Sequence, residues 1–362
     1  MSALGQSAPP AELYGLSSTP IDVADEAAAA RLFLQRGWTD GLPIVAPTPE
    51  LVHAFVSAVG GGPAEILGEI PEQNRAITLE KLAVNAVMAG CRPEYMSLLV
   101  ATARALTRTP FNLHSTTVSG ATAPLLIVSG PVVTKVGLNS GFSVFGPGHH
   151  ANATIGRAVR LLLHNVCGAV PGVIDKATFG HPGKFSYCIA EDQTRNPWEP
   201  VHTDAGMPAA SSAVTVFAGE APIFARNDWA DTPEPILATI SDAMLPSHFT
   251  GGGVVVVLGP LHAATMAAAG MSKTEVREGI FQRARRSLAD LRLAGRLPGE
   301  PAPGDATTYR TVVPSAEDIT LVVAGGHLYG YSAVVPAWIG GHESVAVTEC
   351  LTDEEPDDEE KE

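Results

Sequence analysis

Leu125-Leu126-Ile127-Val128-Ser129-Gly130-Pro131 is matched further along the chain by Val254-Val255-Val256-Val257-Leu258-Gly259-Pro260. Each is a near-continuous apolar run closed by Gly-Pro, the pattern of a strand buried on both faces of its sheet. The surroundings match as well. The first run follows a helical pattern at Pro93–Leu106 and His114, and leads through a short helix and Asn139 to a helix expected to be capped by Asn152. The second follows Pro233–Leu245 and His248, and leads through a short helix and Gly270 to a helix capped by Ser272, with Glu275 completing a capping box. A third apolar run, Ile319 to Ala324, ends at Gly325-Gly326. The expected fold is α/β, internally duplicated, with two strand-helix halves whose sheets are covered by helices.

Around this pair the rest of the chain falls into place. Residues 1–21, rich in Ser, Pro and Ala, read as a flexible arm. Residues 22–110 form a helical N-terminal part, with helices expected at Asp22–Arg36, Thr48–Val59 and Thr78–Met88. Residues 111–230 are the first half, 231–351 the second. Residues 352–362 form an acidic tail, with eight acids and one lysine from Asp353 to Glu362; such a composition is disordered and solvated.

The formal charge of −15 excludes nucleic acid as a natural partner. Four cysteines (Cys91, Cys167, Cys188, Cys350) without a CxxC pair suggest neither a disulfide framework nor a zinc knuckle, and reduced thiols fit a cytoplasmic location. No basic segment followed by an apolar run marks a signal peptide. The low-polarity stretch Gly251–Gly270 is interrupted by Gly259-Pro260 and His262, so it reads as a strand and a helix rather than a membrane span.

The halves differ at one point. Phe142 to His150 contains Gly146, Gly148 and the adjacent His149 and His150, and has no counterpart in the second half. A loop that the fold does not require is a candidate site wall. Asn139, His149, His150, Asn152 and Arg157 are therefore expected to bind substrate. The turn Trp38-Thr39-Asp40-Gly41-Leu42-Pro43 presents Trp38 and Asp40 as further binding candidates, the plainer alternative being a core anchor and a turn former. The Pro-bracketed loop Asn196-Pro197-Trp198-Glu199-Pro200-Val201-His202 does the same for Trp198 and His202.

Six segments together resemble a known group: WTDGLP at 38–43, NAVMAGCRPE at 85–94, FGPGHHANATIGRA at 145–158, PGKFSYCIAE at 182–191, NPWEPVH at 196–202, and AGG with SAVVPAW within 324–338. They are similar to those of bacterial proteins encoded with, or fused to, a small UGSC-type (seleno)cysteine protein. The resemblance covers most of residues 30–350. It implies thiol- or selenol-linked chemistry with a partner; this chain has no Cys-Gly-Ser-Cys segment, so the partner would be a separate protein.

Three constellations could carry a reaction. Cys91, between two helices and beside Arg92, could act as a nucleophile with His114, His149, His150 or His202 as base. A metal set from His149, His150, His202 and Glu191 or Asp192 lacks HxH or HExxH spacing, so no cofactor is expected. An acid/base site could use Glu191 or His202, with Lys184, Arg157 and a helix start stabilising an anionic intermediate, as in a lyase or hydratase. His164 and His262 sit in apolar helical company and read as packing residues, and His53 and His342 as surface ones.

The expected function is thus a cytoplasmic enzyme acting on a small polar or anionic substrate at the glycine-rich loop. The competing reading is a non-catalytic subunit that positions a small Cys/Sec redox protein. A pocket with converging Cys, His and Lys would favour the first, and an exposed apolar face beside the loop the second. Self-association is the expected oligomeric behaviour.

Overall fold

The computed structural model describes residues 14–117, 120–247, 249, 251–337 and 345–351. The start of the arm (1–13), His248, His342 and the acidic tail (352–362) lie outside the described residues.

The helical N-terminal part holds α1 (Glu26–Arg36) and α2 (Pro49–Ser57), then a hairpin of β1 (Ile66–Ile70) and β2 (Arg75–Thr78), then α3 (Leu79–Ala89) and α4 (Met96–Thr107). Asp25 caps α1 by accepting from the Ala28 N–H, and Gly37 ends it in the left-handed conformation. The hairpin interrupts what the sequence pattern presents as purely helical. Pro93 opens a single 3-10 turn, and α4 begins only at Met96. The last residues of the expected arm are tied down, because the backbone N–H groups of Ser17 and Ser18 and the Ser17 hydroxyl donate to the Glu80 carboxylate.

The first half contains β3 (Ala123–Ser129), α5 (Val132–Lys135), α6 (His150–Asn165), β4 (Cys188–Ala190) and β5 (Ala213–Gly219), followed by β6 (Ile223–Arg226). The second contains α7 (Pro233–Met244), β7 (Val254–Leu258), α8 (Pro260–Ala268) and α9 (Lys273–Arg283). After these come β8 (Arg285–Ser287), α10 (Leu288–Leu293), β9 (Tyr309–Thr311), β10 (Ile319–Val323), β11 (Tyr331–Pro336) and β12 (Val347–Cys350).

Two four-stranded sheets carry the α/β fold, ordered β12-β5-β3-β4 and β10-β7-β11-β6. In each, the central apolar strand pairs parallel with one neighbour and antiparallel with the other: β3 with β4 and β5, β7 with β10 and β11. The edge strands are exchanged. β6 leaves β5 to join β11, and β12 leaves β11 to join β5.

Alternation along the strands assigns the layers. Leu126 and Val128 pack outward with α3, α4 and α6, whereas Leu125 and Ile127 face inward. Val254, Val256 and Leu258 pack outward with α7, α8 and α9, whereas Val255 and Val257 meet the first sheet. The result is helices, sheet, sheet, helices. The glycines that end β3 and β7 are demanded by space. A Cβ on Gly130 would lie 2.2 Å from the Ser211 carbonyl oxygen, and one on Gly259 2.1 Å from that of Tyr331.

Two local expectations need correction. The helix expected to start at Asn152 starts at His150, with His149 as its N-cap. Asn152 lies buried in the first turn. Its side chain accepts from the Asn139 N–H at 2.8 Å and donates to the carbonyls of Asn139 and Cys188. Its amide satisfies the backbone of two other segments rather than its own helix end. The segment Phe185–Ala190, which reads from its sequence as a strand, forms one only over Cys188–Ala190.

Candidate functional site

Three of the quoted motifs meet where α3 ends and α6 begins. Arg157 grips Asp40 with two hydrogen bonds of 2.8 and 2.9 Å and also donates to the Pro43 carbonyl at 2.8 Å. Burial alone would push the Asp40 carboxyl up, but the Arg157 guanidinium outweighs it and holds the carboxyl below its ordinary range. Both side chains are thereby committed to fixing the Trp38–Pro43 turn. Trp38 is half-buried and leans edge-on against Phe33 at 5.5 Å.

Cys91 lies in the same corner, hydrogen-bonded to Thr154 and near Arg157. Burial nonetheless pushes its thiol up to about 12. A thiol in that state is protonated at neutral pH and is a poor nucleophile. His150 is exposed, with its Nδ1 3.3 Å from the Tyr95 hydroxyl, and His149 is exposed beside it.

The remaining residues expected to be catalytic are dispersed. Lys184 is salt-bridged to Asp175 at 2.7 Å. His114 is a surface residue 3.2 Å from Glu72. Glu191 is buried and accepts from Asn196 at 2.9 Å and from the Val201 N–H; burial prevails and raises its carboxyl to about 7. Beside it, Lys273 and Arg277 on α9 both pair with Asp204, a group that the sequence reading missed although it had placed the start of α9. Trp198 pins this corner by donating from its indole nitrogen to the Met271 carbonyl at 2.9 Å.

His202 is fully buried. Its Nε2 faces the Pro208 carbonyl at 3.0 Å, and its Nδ1 lies 2.7 Å from the Ser129 hydroxyl. Desolvation lowers its pKa, so the ring is neutral. A carbonyl can only accept, so Nε2 carries the proton and the Ser129 hydroxyl donates to Nδ1. Neither His202 nor Glu191 meets His149 or His150. Among the described residues no three His, Cys, Asp or Glu side chains gather as a metal site.

The glycine-rich loop does form a wall. It is stitched to the segment after β10, where the Gly325 N–H donates to the Ser140 carbonyl at 2.8 Å. The Phe142 ring lies so close over Gly326 that a Cβ there would sit 2.5 Å from it. Asn139 braces the loop from within, accepting from the Gly141 N–H and donating to the Phe142 carbonyl.

Between the two segments opens a cleft of about 510 Å³. Phe142 to Gly146 line one side, Ala324 to Gly326, Leu328, Tyr329 and Tyr331 to Ala333 the other, and Phe224, Val257 and Gly259 the remainder. Ser332 belongs to this lining. Its hydroxyl lies 2.8 Å from Nδ1 of His262, whose Nε2 faces the Asn227 carbonyl at 3.1 Å. Desolvation lowers the His262 pKa, so here too the neutral ring accepts from a serine. His262 reads from sequence as a packing residue; nothing in helical spacing reveals a serine from a distant strand.

Fold and cleft together define a two-sheet α/β protein with a preformed small-molecule-sized cleft at one end of the sheet interface. Compared with protein-family models and with curated proteins, the chain matches none. Among the described residues no helix is long and apolar enough to cross a membrane.

Proposed function

We propose that the protein is an enzyme acting on a small molecule held in the glycine-loop cleft, by acid/base chemistry through Ser332 and His262. The observation that carries this reading is the Ser332–His262 hydrogen bond at the cleft wall. It joins a hydroxyl to a neutral imidazole that the Asn227 carbonyl orients. Ser332 exchanges a proton with the substrate, and His262 takes or returns that proton at Nδ1.

The half-buried Cys91, whose thiol desolvation keeps protonated, weighs against the thiol route. The matching pairing schemes of the two sheets support reading the halves as copies of one unit, with the cleft built on the loop that only one of them carries. The test is turnover of a panel of small uncharged carbonyl compounds by the wild type and three variants. Ser332→Ala and His262→Gln lose about a hundredfold or more, whereas Cys91→Ser keeps activity. The reverse pattern overturns the assignment.

One observation favours the subunit reading. Phe142, Phe224, Leu328, Tyr329 and Tyr331 are exposed around the cleft, an apolar face of the kind a partner covers. A small Cys/Sec protein binding there would protect these side chains from solvent without any turnover by this chain alone.

A further inference from the structure

Twenty-one aromatic residues are spread along the chain as 4 Trp, 6 Tyr and 11 Phe, a share of 6%. Among the described residues sixteen line the glycine-loop cleft, and five of them are aromatic (Phe142, Phe145, Phe224, Tyr329 and Tyr331), where the overall share predicts one. Four of these rings are between 39% and 63% exposed despite bordering a concavity, so each keeps open ring surface even where Gly326 packs on Phe142 and Arg226 on Tyr331. The chain has ample Val, Leu and Ile, yet the cleft takes only Val144, Val257 and Leu328 from them.

The polar features point the same way. Among the described residues no Asp, Glu, Lys or Arg side chain lines the cleft, so whatever enters it is uncharged over the part enclosed. The hydroxyls of Ser143, Tyr329 and Tyr331 supply hydrogen bonds at the edge. Gly325 has a positive φ of 109° and open space where a Cβ would stand, leaving bare backbone against which a flat surface can lie. The nearest charge, Arg226, is stacked over the Tyr331 ring at 5.3 Å and engaged by Asp228, which steadies that ring from outside.

We infer that the ligand of this cleft is an uncharged planar aromatic or heteroaromatic ring carrying a hydrogen-bonding edge, held by stacking on Phe142, Tyr329 and Tyr331. This deepens the proposed function and rests on the cleft being the binding site, but it does not depend on the Ser332–His262 chemistry. Stacked aromatic pairs gain beyond their buried area because of ring quadrupoles, a gain that a puckered ring of equal size does not share.

The experiment is a calorimetric titration of the full chain with 2-naphthol and with decahydro-2-naphthol, which share a carbon skeleton and a hydroxyl but differ in planarity. The wild type should bind the planar compound roughly tenfold more tightly. Phe142→Leu and Tyr329→Leu preserve apolar area. Each should weaken 2-naphthol several-fold while leaving the saturated compound within about twofold. Equal affinity for the two compounds, binding of neither, or a 2-naphthol affinity indifferent to both variants overturns the inference. Ser332→Ala separates the two claims: unchanged 2-naphthol binding with lost turnover supports both. Unchanged binding with retained turnover leaves the ligand class standing and sinks the acid/base assignment.

Discussion

Among the described residues two buried serine–histidine pairs share nearly the same geometry, Ser129–His202 and Ser332–His262. In each, a serine hydroxyl donates to Nδ1 of a neutral ring whose Nε2 donates to a main-chain carbonyl. The first pair is sealed, with both residues at 0% exposure; the second retains 3% and 2%, and its serine lines the glycine-loop cleft. Hydrogen-bond geometry alone therefore does not separate the sealed pair from the one proposed to act on substrate. Access to a lined cavity does, and the sealed pair serves as an internal control for the open one.

The largest effect expected is on turnover. His262→Gln should reduce it about a hundredfold or more with little change in stability. Because burial lowers the His262 pKa below its ordinary 6.5, wild-type turnover should persist as pH falls past that value and fail only at lower pH. The sealed pair should behave oppositely. His202→Leu strands the Ser129 hydroxyl and the Pro208 carbonyl, and should cost about 2 kcal/mol in urea unfolding while turnover per folded molecule is kept. Equal activity losses in both variants would break the contrast.

Other buried polar contacts should follow the sealed pattern. Arg157→Met leaves Asp40 without its main partner and should cost about 3 kcal/mol, read by thermal or urea unfolding. Glu191 contributes a pH signature. Its folded carboxyl titrates at about 7 against an ordinary 4.5, so the folded state holds an extra proton between those values and stability declines as pH rises through that window. Glu191→Gln should remove the decline, with a gain of about 2 kcal/mol at pH 8 and none near pH 4. The smallest effect belongs to Cys91→Ser, a change of under about 1 kcal/mol with turnover preserved.

The apolar runs closed by Gly-Pro made β3 and β7 legible, because continuous hydrophobicity over a strand's length reports two covered faces. The Ser272–Glu275 capping box located α9 in the same way, through contacts three residues apart. The exchange of β6 and β12 between sheets was not legible, since local pattern does not say which sheet an edge strand joins. At the site, the glycine-rich loop stood out by composition, and its stretch Phe142 to Gly146 lines the cleft, whereas Asn139, His149, His150, Asn152 and Arg157, the residues expected to bind substrate, lie outside that lining. Arg157 and Lys184 stood out by charge, but each finds a carboxylate from a distant segment. Ser332 and His262 are brought together by the fold across 70 positions, and neither residue type is unusual in its own neighbourhood.

The most direct test follows the ring nitrogens of His202 and His262 by NMR in ¹⁵N-histidine-labelled protein, assigned with the His202→Leu and His262→Gln variants, as 2-naphthol is added. The His262 signals should move with saturation of the cleft while those of His202 stay in place. A silent His262, or equal movement of both, would contradict the assignment of the open pair to the glycine-loop cleft.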